Sequence, residues 1–246
     1  MVVRERRLRW PIAANVEAAV RGRTIRSIER RAKYILIRLD TGTLILHLGM
    51  SGSLRLVKGN APPKLHDHWD IRVDGDRVLR FHDPRRFGSL HWTDAEPALH
   101  PLLAKLAPEP LSDEFDGEYL HRATHRRSVA IKQLIMNSQL VVGVGNIYAS
   151  EALFRARISP RRAARRLSRR EAGALARAIK AVLSEAIDIG GTTLRDYVNA
   201  DGAPGYFSQK LFVYERAGEA CRVCKAKVRQ FVQGQRSTYW CATCQR

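Results

Sequence analysis

Lys33-Tyr-Ile-Leu-Ile-Arg-Leu39 and Thr43-Leu-Ile-Leu-His-Leu48 flank the short connection Asp40-Thr-Gly42. Both flanks are β-rich apolar runs, and the three residues between them are turn formers, so the segment predicts a hairpin. Further along, Ser53-Leu-Arg-Leu-Val57, Trp69-Asp-Ile-Arg-Val73 and Arg77-Val-Leu-Arg-Phe81 alternate apolar with polar residues. Asp74-Gly75 marks the turn between the last two. Short strands that follow one another through turns build an antiparallel sandwich or barrel. This β domain is expected to span residues 1–96.

After Pro97 the pattern becomes helical. Leu99–Leu106 reads as a short helix stopped by Pro108 and Pro110; Glu118–His125, Val129–Asn137 and Asn146–Arg157 read as further helices. Ser168–Ile189 is the longest. Its opening Ser168-Arg-Arg-Glu171 is a capping box, in which the Ser oxygen and the Glu carboxylate satisfy the first free amides. Leu175, Ile179, Val182, Leu183 and Ile187 then fall on one face, and Gly190-Gly191 ends the helix. Residues 192–216 read as a loop-rich linker. The fold class expected is α+β, with a helical domain at 97–212 and a cysteine module at 213–246.

The 246 residues carry 43 Lys plus Arg against 24 Asp plus Glu, a net charge of +19. A surface of that sign attracts a polyanion, above all a nucleic-acid backbone; a ribosomal or membrane-surface protein is the alternative. No apolar run is long enough to span a membrane. Met-Val-Val-Arg-Glu-Arg-Arg has no apolar stretch behind its basic residues, so no secretory signal is expected. A cytoplasmic location follows, where disulfides are rare.

The four cysteines are spaced C-x2-C-x16-C-x2-C, as Cys221, Cys224, Cys241 and Cys244. Two such knuckles point four sulfurs at one ion, and the 16 residues between them suit a hairpin, Lys227–Gln233 and Gln235–Trp240, turned at Gly234. One structural Zn2+ is expected, supplying most of the folding energy of so small a segment. Two disulfides or buried free thiols are the alternatives. Four protein ligands leave no open position, so the ion's role is structural.

Other residues have two readings each. Arg236 lies on the cysteine hairpin and either reaches a phosphate or is one more solvated arginine. Val141-Val-Gly-Val-Gly-Asn146 runs into a helix, with Asn146 placed as its N-cap and the free amides behind it suited to a phosphate, helped by Lys132 and Arg127. Asp83-Pro-Arg-Arg-Phe-Gly88 sets Arg85 and Phe87 at a strand entry. Phe87 is either a wedge for a base stack or part of the core. Met50, on the glycine-flanked turn of His47-Leu-Gly-Met-Ser-Gly52, either inserts likewise or ends a hairpin. Lys33 starts a strand on the face of Ile35, Ile37 and Leu39, as a lowered-pKa nucleophile or acid/base, or as a snorkelling side chain. His66-Asp-His68 lacks a third metal ligand and favours a phosphate-contacting His66.

Taken together these segments resemble the bacterial formamidopyrimidine-DNA glycosylase family, of the helix–two-turn–helix class. The resemblance runs through Arg7-Leu-Arg-Trp-Pro11, Arg30-Arg-Ala-Lys-Tyr34, His47–Leu54, Asp83–Gly88, Gly143-Val-Gly-Asn-Ile-Tyr-Ala-Ser-Glu151, Gly190-Gly-Thr-Thr193, Pro204-Gly-Tyr-Phe207 and the four cysteines. It implies a β-sandwich, a helical DNA-binding domain with a zinc finger, and base-excision repair by a bifunctional glycosylase/AP lyase. The partner implied is double-stranded DNA with an oxidised purine or an abasic site, bound by a monomer in the bacterial cytoplasm, on the nucleoid when DNA-bound. Lys33 and Arg236 take catalytic roles by this resemblance, at the sugar and at the lesion phosphate. Met50, Arg85 and Phe87 fill the space left by a flipped base, and His66, Arg85, Arg127, Lys132 and Asn146 contact the DNA backbone. Tyr206 sits in the loop that closes over the flipped base. No catalytic cofactor is implied.

The family's N-terminal Pro-Glu segment, with its amine nucleophile and its glutamate, has no match in this sequence, which aligns from a point further in. Base excision by the 246-residue chain is therefore not expected. A non-catalytic, zinc-dependent damaged-DNA-binding protein is the alternative function.

Overall fold

A computed structural model describes residues 1–190 and 211–246. Two compact units emerge, one comprising Met1–Ala104 and the other Lys105–Ile189 with the chain from Leu211 to the C-terminus.

The first unit is built of antiparallel strands, in two four-stranded sheets. One contains β2 (Ile25–Arg31), β3 (Tyr34–Leu39), β4 (Thr43–His47) and β8 (Ser89–Thr93), side by side in that order. The other orders β1 (Val2–Val3), β6 (Asp67–Arg72), β7 (Arg77–His82) and β5 (Ser53–Lys58). The predicted hairpin is β3–β4, in register from Tyr34 opposite His47 to Arg38 opposite Thr43. Its turn needs Gly42, at φ 74°. Ile37, Leu44, Leu46 and Leu90 from one sheet share a core with Trp69 and Phe81 from the other. The Trp69 and Phe81 rings stack at 5.2 Å. Leu8, Ile12 and Val16, the last in the short helix α1 (Val16–Val20), complete that core.

In the second unit, α2 (Gly117–Thr124), α3 (Ile131–Ile135), α4 (Asn146–Arg155) and α5 (Arg169–Asp188) pack around one apolar core. Between α3 and α4 the chain makes successive turns closed by Asn137 N–H to the Leu134 carbonyl and by Leu140 and Val141 N–H to the Asn137 carbonyl. The helix–two-turn–helix arrangement is thus present. The capping box at Ser168 and Glu171 forms as predicted. Gly117 lies so close to α5 that a Cβ there would come within 2.6 Å of Gly173 Cα.

Two helical expectations are corrected. Residues 99–106 are not a helix: a 3-10 turn covers Pro97–Leu99, and His100 is extended at ψ 135°. His100 precedes Pro101, and a residue before proline is pushed out of the α region. Ile187 is 60% exposed. Ala186 takes the inward position in the last turn of α5, continuing the series Leu175, Ile179, Val182.

Candidate nucleic-acid interface

In the first unit, two surface turns carry the residues expected to wedge into DNA. Met50 is 64% exposed and Phe87 43% exposed, so neither belongs to the core. The Arg85 guanidinium lies 4.9 Å from the Phe87 ring centroid. Asp83, fully buried, binds the turns together. Its carboxylate accepts the Ser51 hydroxyl at 2.6 Å and the Gly88 N–H at 2.8 Å. A Cβ at Gly49 would lie 2.5 Å from the Phe87 carbonyl carbon, so the turns meet at a point only glycine allows.

His47, at the end of β4, accepts the Gly49 N–H on Nδ1 at 2.9 Å. Burial first, then the charges of Lys33 and Arg9, pull its pKa down to about 4. It is therefore neutral at pH 7. Lys33 is corrected in placement. Arg31 pairs with Tyr34, so Ala32 and Lys33 form the two-residue turn between β2 and β3. That turn puts Lys33 outside the strand and exposes it, instead of desolvating it on an apolar face.

His66 is half-buried at φ 73°, its ring 6.3 Å from that of His68 and 6.1 Å from that of His82. His68 Nε2 pairs with the Asp83 carbonyl at 2.7 Å, and His82 Nδ1 with Asp67 at 2.8 Å. The three histidines are not among the groups of candidate metal ligands that the described residues bring together.

In the second unit, β9 (Arg229–Gln233) and β10 (Arg236–Trp240) form the predicted hairpin. Its turn residues Gly234 and Gln235 both have positive φ, at 55° and 59°, matching a tight turn of the primed type. Arg236 stands exposed at the start of β10. Lys132, 1% exposed, lies beneath the same strand. Its Nζ donates to Asn146 Oδ1 at 2.6 Å, Thr238 Oγ1 at 2.7 Å and the Ser237 carbonyl at 3.2 Å. Burial and then the nearby Arg236 charge lower its pKa to about 8.

Gly145 and not Asn146 caps α4. Asn146 is the first helical residue, and its amide donates to Tyr214 Oη at 3.2 Å and to the Ser237 carbonyl at 3.0 Å. Lys132 and Asn146 thus support the hairpin from below. Arg127 is exposed, and its carbonyl accepts the Arg165 N–H at 2.9 Å. Tyr206 lies outside the described residues.

The four cysteine sulfurs lie within 4.8 Å of one another. Cys221 and Cys244 are 3.9 Å apart, and Cys224 and Cys241 3.4 Å. A tetrahedron with Zn–S bonds of about 2.3 Å has edges of about 3.8 Å, so the sulfurs fit zinc. They are the one group of three or more candidate metal ligands among the described residues. The Gln245 side chain accepts the Cys241 N–H at 2.8 Å and donates to the Ile158 carbonyl at 2.9 Å, anchoring the second knuckle behind α4.

Asp83 and Glu151 are functional-site residues that reading the sequence missed. Glu151, fully buried in α4, accepts three successive backbone N–H groups, from Phe212 at 2.8 Å and from Val213 and Tyr214 at 3.0 Å each. A carboxylate inside the apolar run Ala149–Phe154 was the available signal.

A helix–two-turn–helix unit ending in a four-cysteine hairpin, alongside a β-sandwich, is the architecture of a class of base-excision DNA glycosylases. Residues 1–90 match the formamidopyrimidine-DNA glycosylase N-terminal domain, residues 106–198 its helix–two-turn–helix domain, and residues 218–246 the zinc finger found in such glycosylases and in isoleucyl-tRNA synthetases. The formamidopyrimidine-DNA glycosylase of Thioalkalivibrio sulfidiphilus is 58% identical over 246 residues, which are 100% of this chain and 91% of that protein. The Methylococcus capsulatus enzyme is 55% identical over 244 residues, 99% of this chain and 90% of that protein. Among solved structures, the MutM (FPG) protein of Thermus thermophilus superposes with a TM-score of 0.85 at 43% identity, covering 93% of this chain and 85% of that one. Lactococcus lactis Fpg in complex with abasic-site DNA gives 0.88 at 32% identity, covering 94% and 86%. The chain belongs to the formamidopyrimidine-DNA glycosylase family, DNA glycosylases of base-excision repair. No described helix is long and apolar enough to cross a membrane.

Proposed function

We propose that this chain acts on duplex DNA carrying an oxidised purine or an abasic site, as the clamp of a bifunctional glycosylase/AP lyase. The observation that carries the reading is the exposed Met50, Arg85 and Phe87 on two turns joined through Asp83. An apolar wedge with an adjacent arginine suits the gap left by a flipped base. Support also comes from Lactococcus lactis Fpg, whose complexes contain abasic-site and Fapy-dG DNA. Arg236 would grip the lesion phosphate, on a hairpin fixed by one zinc ion held by Cys221, Cys224, Cys241 and Cys244. His66, Arg127 and the α4 end at Asn146 would follow the backbone, with Lys132 acting from beneath through Asn146 and β10. Tyr206 keeps its proposed place over the flipped base.

Lys33 is proposed as the lysine at the sugar. At a ready-made abasic site its neutral amine would add to the C1′ aldehyde and expel water, forming an imine. Loss of a C2′ proton then releases the 3′ phosphate by β-elimination. Excising an intact base needs, in addition, the amine that the family places on its N-terminal proline. A polypeptide of these 246 residues alone is expected to bind lesion duplex without excising 8-oxoguanine, as a zinc-dependent damaged-DNA-binding protein. Borohydride trapping tests this. Abasic duplex should give slow adduct formation, lost in Lys33→Ala, and 8-oxoguanine duplex none. Trapping on 8-oxoguanine at the rate of full-length relatives overturns the inactivity, and equal affinity for RNA overturns the DNA reading.

A further inference from the structure

A separate cavity lies at the other end of α4. From Asn146 to Arg155 the helix rises about 14 Å, so this end is separate from the Lys132–Arg236 cluster. Here Phe154, Arg155, Arg157, Glu185, Phe212 and Arg222, with Val223 at the rim, line a cavity of about 560 Å³. That is the size of a site for one large side chain and its neighbours.

Its floor is aromatic and its walls are cationic. The Phe154 and Phe212 rings stack at 5.4 Å. Arg155 and Arg222 lie over Phe212 at 5.7 and 6.0 Å, and Arg157 lies over Phe154 at 5.7 Å. Glu185 engages both terminal nitrogens of Arg155, at 2.5 and 2.8 Å. The Arg155 Nε–H is left buried with no acceptor. Three arginines face one glutamate, so the lining has a positive excess.

Arg157 closes the C-terminal end of α4 beside the cavity. It follows the C-cap of α4 and stands at φ 61°, with the Ile158 N–H closing back on the Leu153 carbonyl at 3.0 Å. Glycine fits that position without strain, whereas an L side chain there costs roughly 1 kcal/mol. A cation also complements the helix C-terminus, which accounts for charge at this end but not for the aromatic floor beside it.

We propose that this cavity docks an acidic protein segment through an aromatic side chain. The ring would cover Phe212 and Val223, and a flanking carboxylate would pair with Arg157. A free phosphate matches the charge but leaves the apolar floor uncovered. A nucleic-acid backbone needs an extended basic track, not a concave site of this size.

Fluorescence anisotropy on the zinc-loaded full chain tests the proposal with two labelled peptides, Asp-Asp-Phe-Asp-Asp and Asp-Asp-Ser-Asp-Asp. The aromatic peptide is expected to bind about tenfold tighter, and Arg157→Gly to weaken it by about tenfold. The same variant should melt no lower than wild type, because glycine relaxes φ. Short duplex DNA should not displace the peptide. Equal binding of both peptides, undiminished binding to Arg157→Gly, or stoichiometric displacement by duplex overturns it, the last by placing the peptide on the DNA face.

Discussion

Asp83 and Lys132 are a buried acidic and a buried basic side chain, one in each unit, and each ties together segments that carry candidate DNA contacts. Asp83 is met by neutral donors, Ser51 and the Gly88 amide, from turns next to the strands of one sandwich. Lys132 is met by neutral acceptors from two distant elements, α4 and the cysteine hairpin. The turns of Met50 and Phe87 are therefore built on the core between two sheets. Arg236 depends on a hairpin whose own core holds little beyond Val213, Val228 and Phe154 against the cysteines. Equal burial hides unequal support.

The largest expected effect separates the two. Structural zinc sites in small fingers contribute roughly 10–16 kcal/mol to folding. Removing the metal with a chelator should expose the amides of 229–240 to hydrogen exchange and lower duplex affinity by about tenfold or more. The amides of 43–47 and 77–82 should stay protected. Protection of both regions in protein shown to be zinc-free would show that the hairpin folds without the ion.

Next in size, Asp83→Ala strands a buried hydroxyl and an amide. It should cost about 3 kcal/mol in denaturant unfolding, together with the wedge's effect on 2-aminopurine fluorescence opposite an abasic analogue. Full stability with a normal fluorescence change would show that the turns hold without it.

The smallest effect sharpens the Lys132 side. Its pKa in the folded chain is about 8, below the ordinary lysine value of 10.5. Between those values the unfolded chain holds a proton that the folded chain has released, so stability rises with pH across that window and is flat below it. Lys132→Met should lose about 2 kcal/mol at pH 7, from the Asn146 and Thr238 side-chain oxygens that lose their donor, and should lack the rise between pH 8 and 10.5. An identical pH profile in the variant would assign the titration elsewhere.

Strands and hairpins were legible because a period of two and a turn such as Asp40-Thr-Gly42 act within a few residues. The Ser168–Glu171 box and the cysteine knuckles are local signals of the same kind. The support of the site is not local. Ser51 and Asp83 are 32 residues apart, Glu151 and Val213 are 62, and Lys132 and Thr238 are 106. Only the folded chain brings such partners together. Lys33 and Asn146 were found as residues but misplaced by one position, because pairing of Arg31 with Tyr34 and capping by Gly145 decide where each element begins.

Glu151 has a consequence for how this architecture varies. Three consecutive amides at 212–214 form a concave cradle for an anion, and the protein supplies its own occupant from α4. The chain is thereby moored just after residues 191–210, while α5 ends just before them. Lengthening a connection between two fixed points costs only about 0.6 kcal/mol per doubling. The mooring at 212–214 therefore sets where the cysteine module begins, whatever the length of the stretch before it.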